Sequence, residues 1–236
     1  MRAMILAAGR GERMRPLTDH TPKPLLPVQG RPLIAHHIER LARCGIADIV
    51  INLNHLAEQI PATLGDGARW GVRLHYSWEN HLPGALETAG GIRHALSLLS
   101  PQFLLVNGDV WTDFPFGLLL ENPLADDDQF RLVLVNNPNH HPKGDFGLTE
   151  EHRLTPCPPT GPQATSAQTC LTYAGIGLYR RSLFELLPEG RHALGPLLHA
   201  QIAENRGSGM NYRGVWLDVG TIERLAEAEH TALQPG

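Results

Sequence analysis

Four short apolar segments, MRAMILAAG, ADIVINLN, VRLHYS and QFLLVNGDV, are separated by three stretches of helical period before the chain passes Val110. This alternation constrains the fold more than any other feature. Strands joined by helical crossovers lie parallel in one sheet, with the helices on its faces. Central strands that are apolar along their whole length need cover on both sides. The intervening stretches read accordingly. Arg31 to Gly45 places Leu33, Ile34, His37, Ile38 and Leu41 at helical spacing and stops at a glycine. HLAEQIPATLGDG contains Pro61, so its helix is short or bent. Gly90 to Leu99 is the third helix.

The second half is less regular. RLVLVNN, DFGLTEE, TYAGIGLY and GVWLDVG read as strands, and NPNHHPKG as a loop. ALGPLLHAQIAENRG reads as a helix interrupted early by Pro196, and TIERLAEAEHTAL as a closing helix capped by Thr221. Pro156 to Thr169 is too rich in Pro, Thr, Ser and Gly for either period, and is expected to be an exposed, mobile excursion (156–169). The expectation is an α/β fold: a doubly wound, mostly parallel, Rossmann-like sheet with inserted strands, in a single domain over residues 1–236.

Composition narrows the partners. A formal charge of −4 speaks against nucleic acid, whose binders usually carry a basic excess. No apolar run is long enough to span a bilayer, and the chain enters a strand at once instead of a leader. Three cysteines, Cys44, Cys157 and Cys170, are odd in number and show no paired spacing. That pattern speaks against a disulfide framework or a zinc site and for a reducing compartment. The expected protein is cytoplasmic and acts on small anionic ligands, with no membrane, nucleic-acid or protein partner. His36, His37, His140 and His141 lack metal-ligand spacing and read as surface residues.

The first strand runs into ILAAGRGERMRPLTDHTPKPLLPV, which breaks the usual phosphate-loop rules. A Walker loop would place lysine and a hydroxyl residue after its last glycine, but Gly11 is followed by Glu12 and Arg13. A dinucleotide fingerprint needs a third glycine and an acidic residue ending the second strand; Met14, Asn52 and Asn54 stand there instead. As the residues stand, Gly9 and Gly11 let backbone N–H groups turn toward an anion. Arg13 adds a planar fork of donors, and Pro22 and Pro24 stiffen the backbone around Lys23. Such a loop suits a nucleoside triphosphate with a second phosphate beside it. Asp109 and Asp218 end apolar strands, where ligands of open α/β sheets gather, and paired carboxylates suit Mg²⁺. Asp113 reads as a turn or capping residue.

These motifs carry a resemblance. LAAGRGERMRPLT followed by PKPLLPV, then ETAGGI, VNGDV and WLDVGT, closely resembles the signature of the sugar-1-phosphate nucleotidyltransferases along nearly the whole chain. The segments NPNHHPKGDF, VNGDVWTDF and WLDVGTIERLAEAE are most like members that join UTP to N-acetylmuramate 1-phosphate in cell-wall sugar recycling. The resemblance implies Mg²⁺ on Asp109 and Asp218. It also implies a nucleotide site of Ala8, Gly9, Gly11, Glu12, Arg13, Lys23, Glu87, Thr88, Gly90 and Asn107, with Arg13, Lys23 and Asp109 serving catalysis. Gly144, Asp145, Glu151 and Tyr173 are expected around the sugar phosphate. Glu87 would accept the imide N–H of uracil if its carboxylate points inward, and glycines beside it would let backbone approach the flat base. Ala89 departs from the uridylyltransferase pattern, and EEHRLTPCPP replaces the Glu-Lys-Pro with which many relatives grasp the sugar. Mannose-1-phosphate guanylyltransferase and glucose-1-phosphate thymidylyltransferase activities are the alternatives within the family. A nucleotide-sensing domain without turnover is the alternative outside it.

Overall fold

In a computed structural model, which describes residues 1–82, 84–157 and 170–233, the chain folds in the order β1 (Arg2–Leu6), β2 (Pro27–Val28), β3 (Arg31–Pro32), α1 (Leu33–Arg43), β4 (Asp48–Leu53), α2 (Gln59–Leu64), β5 (Arg73–Trp78), α3 (Glu87–His94), β6 (Gln102–Asn107) and β7 (Val110–Thr112). There follow α4 (Gly117–Glu121), β8 (Phe130–Val135), β9 (Phe146–Leu148), β10 (Leu154–Pro156), β11 (Cys170–Arg180), α5 (Ser182–Glu185), α6 (Leu194–Ala203), β12 (Gly207–Tyr212), β13 (Trp216–Asp218) and α7 (Ile222–His230).

Side-chain alternation explains why the first strands are apolar throughout. Ala3 and Ile5 of β1 join one core cluster with Ile49 and Ile51 of β4, while Met4 joins a second cluster with Val50, Phe103 and Leu105. The first cluster takes Ile34, Ile38 and Leu41 from α1, and the second takes Ile92 from α3 and Leu198 from α6. Strands β5, β4, β1 and β6 run parallel in that spatial order. Beyond β6 the sheet changes character. β11 pairs antiparallel with β6, β8 and β9, and β12 runs parallel to β8. The expected α/β sheet is therefore present, mostly parallel, with inserted antiparallel strands at one side.

Several local expectations are corrected. The third helix begins at Glu87 instead of Gly90 and closes through a short 3₁₀ turn over Leu96–Leu98. Pro196 does not interrupt α6, because it sits in the first turn, where a missing N–H costs no helical bond. β12, with the sequence GSGMNY, was not legible as a strand and exists through its pairing with β8. The excursion expected over 156–169 lies outside the described residues apart from Pro156 and Cys157. Thr221 does cap α7, accepting the Arg224 N–H at 3.3 Å.

The cysteine expectation fails. Cys157 and Cys170 form a disulfide, with Cα atoms 5.7 Å apart and a sequence separation of 13. The ladder explains why: Pro156 lies opposite Phe146 on one edge of β9, and Cys170 opposite Gly147 on its other edge, so the chain returns to where it left. Inference from cysteine number to a reducing compartment falls with it. His36 and His37 are not surface residues either, at 6% and 2% exposure. His36 Nε2 lies 2.9 Å from Val28 O, with its ring edge-on to Trp111. His37 is held neutral by burial, which drives its pKa down to about 4 against weaker support from the Val110 backbone and Asp109. Both rings lie on the inward stripe of α1, where histidine can fill apolar space as a neutral side chain.

Candidate functional site

A cavity of about 530 Å³ opens where β1, β4 and β6 end, and its walls include the loop after β1. Its position follows from the topology: in open α/β sheets the carboxyl ends of the strands are free of crossovers on one side and hold ligands there. The strand ladder stops at Leu6, and the next amide is already used, since Ala7 N–H donates to Asn52 Oδ1 at 2.8 Å. The loop then turns at Gly11, whose φ of 63° lies in the left-handed region that favours glycine. Gly11 O accepts from Met14 N at 2.8 Å and from Thr18 Oγ at 2.9 Å, fixing the turn. Gly9, Arg10 and Gly11 donate no backbone hydrogen bond among the described residues, so their N–H groups remain available to an anion.

Ala8, Gly9, Gly11, Glu12, Arg13, Lys23, Glu87, Thr88, Asn107 and Asp109 all line this cavity. Lys23 is the best defined of them. It opens a short 3₁₀ turn that Pro22 precedes and Pro24 lies within, is 8% exposed, and places its Nζ 2.6 Å from Asp109 Oδ2. A lysine brought to a carboxylate 86 residues away, nearly shielded from water, is an aimed charge and not a solvated one. Arg13 is exposed and has no hydrogen-bond or ion-pair partner among the described residues.

Asp218 is not on the cavity wall but comes close to it from the other end of the chain, two residues before Gly220, which is. It lies opposite Val110 in the β13–β7 pair, and Val219 N donates to Asp109 O at 2.9 Å, so the two aspartates are neighbours across that short ladder. Asp218 Oδ2 accepts from Arg224 Nη1 at 2.9 Å. Among the described residues no three His, Cys, Asp or Glu side chains gather as a complete metal site. Two hard oxygen donors nevertheless fit a magnesium ion that fills its shell with water and substrate phosphate. Each carboxylate already meets a cationic group, Lys23 at Asp109 and Arg224 at Asp218, and uses one oxygen for it.

Two expected roles change. The Glu87 carboxylate accepts from Arg191 Nε at 2.6 Å, so it is turned to that arginine, and Glu87 itself holds a φ of 58°. Gly90 is buried, away from the cavity wall: its N–H donates to His192 O at 3.1 Å, and a Cβ there would collide with Gly190 O. Glycine is needed to let the 190–192 segment press against α3, and not to admit a base.

The expected sugar-site residues behave differently again. None of Gly144, Asp145, Glu151 and Tyr173 lines the cavity. Gly144, Asp145 and Tyr173 do come together, since Asp145 Oδ2 accepts Tyr173 N–H at 2.8 Å and Asp145 Oδ1 lies 3.0 Å from His141 Nε2. The Tyr173 hydroxyl is turned inward onto that of Tyr179 at 2.8 Å, and burial raises its pKa. Glu151 is exposed in the turn between β9 and β10. Asp113, expected at a turn, is buried and accepts from Val215 N at 2.7 Å and from the Tyr212 hydroxyl, pinning the segment that leads to β13.

Sequence reasoning missed Glu79. It lies just past β5, is 2% exposed, lines the cavity and accepts from Asn52 Nδ2 at 2.8 Å. Burial raises its pKa, partly offset by that hydrogen bond. Only the meeting of the β4 and β5 ends makes the pair visible; a Glu in ENHLPG carries no motif.

Known proteins resemble the chain along nearly its whole length. A profile of the family described as "Nucleotidyl transferase" matches residues 2–234. An N-acetylmuramate alpha-1-phosphate uridylyltransferase from Neisseria meningitidis serogroup B is 48% identical, with 98% of each chain covered. The enzyme of the same description from Caulobacter vibrioides is 31% identical, over 96% of this chain and 95% of its own. Among solved structures, HddC from Yersinia pseudotuberculosis superposes with a TM-score of 0.77 at 19% identity, covering 96% of this chain and 97% of its own, a likeness of fold.

Proposed function

Because the chain belongs to the nucleotidyl transferase family, we propose that it transfers a uridylyl group from UTP to a sugar 1-phosphate, N-acetylmuramate 1-phosphate above others, releasing pyrophosphate. The observation that carries the reading is the Lys23–Asp109 pair, 2.6 Å apart, at the floor of a cavity walled by the free amides of the glycine loop. The two relatives whose names specify this activity align along almost their full lengths.

The reaction needs no protein nucleophile. A sugar 1-phosphate already carries an anionic oxygen, which attacks the α-phosphorus in line while the bond to the β-phosphate oxygen breaks and pyrophosphate leaves. Two anions must be brought together, so the work of the protein is neutralisation and alignment. Lys23 would lie on the α-phosphate and the attacking oxygen, where charge shifts most. Arg13 and the amides of Gly9 to Gly11 would hold the β- and γ-phosphates. The uracil would lie along Ala8, Gly9, Thr88 and Glu79, beside the N-terminal end of α3, with Asn107 toward the ribose. Asp109 and Asp218 would hold Mg²⁺, which when bound supplies further positive charge to the phosphates. Asp145 with the Gly144 backbone and Tyr173 would meet the sugar, with Glu151 the outlying member of that set.

The reading includes one catalytic unit over residues 1–236, two small substrates and a cytoplasmic setting. No helix among the described residues is long and apolar enough to cross a membrane. Purified protein incubated with UTP, GTP or dTTP against a panel of sugar 1-phosphates, followed by pyrophosphate release, tests it. Fastest release is expected with UTP and N-acetylmuramate 1-phosphate. Faster release with GTP or dTTP, or none with any pair, overturns it.

A further inference from the structure

Gly220 lies between β13 and α7 on the rim of the cavity. Its φ is not in the left-handed region, so no backbone dihedral demands glycine here. Space does. A Cβ at this position would lie 2.6 Å from Arg224 Nη2, 2.9 Å from Arg13 Nη2 and 3.1 Å from Asp218 Oδ1. Two guanidinium tips, one from the first loop of the chain and one from its last helix, therefore converge on one point at the cavity mouth.

Two like charges this close repel unless negative charge lies beside or between them. Asp218 provides one negative charge against two positive ones, and it is also the carboxylate assigned above to a cation. Arg13 has no other partner among the described residues. Arg224 is held from behind: its side chain is 12% exposed, and its Nη1 lies 2.9 Å from Asp218 Oδ2 and 2.7 Å from His140 Nε2. That leaves Nη2 as the face turned to the shared point.

We propose that Arg224 is a second phosphate-binding arginine, acting with Arg13 on the terminal phosphates of the triphosphate, and that His140 is the positioning residue that aims it. Lys23 is bonded to Asp109, whereas the Arg13–Arg224 point lies beside Asp218, so the two guanidinium tips are assigned to the phosphates that Lys23 does not take. Two planar forks facing one pyrophosphoryl group suit its many oxygens better than one fork and a lysine. The absence of a side chain at position 220 is what keeps the gap open.

The assignment rests on the nucleotide reading of the cavity, and the experiment separates the two. Binding of UTP and of UMP is measured by calorimetry for the unaltered protein and for Arg224→Gln, Arg224→Lys, Gly220→Ala and His140→Ala, with circular dichroism confirming the fold. Arg224→Gln is expected to weaken UTP about tenfold while leaving UMP within about twofold, because UMP lacks the phosphates concerned. It should weaken product inhibition by pyrophosphate by a similar factor. Gly220→Ala should follow it, since its methyl group would press on both guanidinium tips without backbone cost. Arg224→Lys should recover part of the loss, and His140→Ala should show a smaller loss of the same selectivity. UTP affinity unchanged in Arg224→Gln overturns the assignment, as does equal weakening of UTP and UMP, which would mark a structural role for the last helix. Failure of the unaltered protein to bind UTP or release pyrophosphate removes the nucleotide reading itself.

Discussion

The two sides of the cavity-bearing sheet are built from similar residue types and spend them differently. On the side of β1, β4 and β6, polar groups are left facing space. Among the described residues the glycine-loop amides have no acceptor and Arg13 has no partner, and Lys23 and Asp109 meet at the cavity wall. On the side of β9 and β11, polar groups satisfy one another. Asp145 takes the Tyr173 N–H, Asn137 is bonded to Thr172 Oγ at 2.8 Å and to Cys170 O at 2.9 Å, and the Tyr173 and Tyr179 hydroxyls pair. The first side would meet an anion without rearrangement, whereas the sugar proposed for the second would have to exchange internal hydrogen bonds for its own. Preorganised charge acts on the transition state, where reorganisation would otherwise be needed. Exchanged hydrogen bonds contribute mainly to binding, and modestly, because their net value is small.

The largest effect expected from this contrast is on turnover. Lys23→Ala should lower kcat about a thousandfold with a smaller change in the KM for UTP. Steady-state kinetics decide it, and a raised KM with unchanged kcat would make the lysine a mere tether and erase the contrast.

Stability in acid comes next. The unfolded His37 ring binds a proton below its ordinary 6.5, whereas the folded ring does so only near 4. Its contribution is therefore fully present above 6.5 and is lost as the pH falls from 6.5 toward 4, by roughly 3 kcal/mol in all. Beneath the Asp109 side this ring, with His36 and Arg40 opposing its charge, makes the preorganised half the acid-sensitive one. Denaturant unfolding between pH 7 and 4 should be flatter for His37→Leu than for the unaltered protein. Parallel curves would move the acid sensitivity elsewhere.

The smallest effect sharpens the other half. Asp145→Ala should raise the KM for the sugar 1-phosphate about tenfold or less while leaving the KM for UTP unchanged. A shift in both constants would mean that the two sides do not act separately.

Much of the first side could be read directly. A strand apolar on both faces, two glycines, an arginine and a lysine between prolines lie within 24 residues of the N-terminus, and local spacing is enough to suggest their chemistry. Roles that depend on direction could not be read. Glu87 carries the expected motif, yet its carboxylate goes to Arg191. Gly90 sits in the expected place and serves helix packing. Glu79 carries no motif and lines the cavity. In each case the deciding neighbour is distant in sequence, from 27 residues away for Asn52 and Glu79 to 104 for Arg191 and Glu87.

By itself the sequence determined the parallel core and the family, and placed the glycine loop at the end of the first strand, because hydrophobic period and turn chemistry act over a few residues and leave local marks. Tertiary structure alone decided which charges face the cavity and which are consumed. It joined Cys157 to Cys170, buried His36 and His37, and brought Arg13 to Arg224. The physical reason is that hydrogen bonds form only at close contact and charge pairs weaken with distance, so their partners are set by where strands and helices end in space and not by order along the chain.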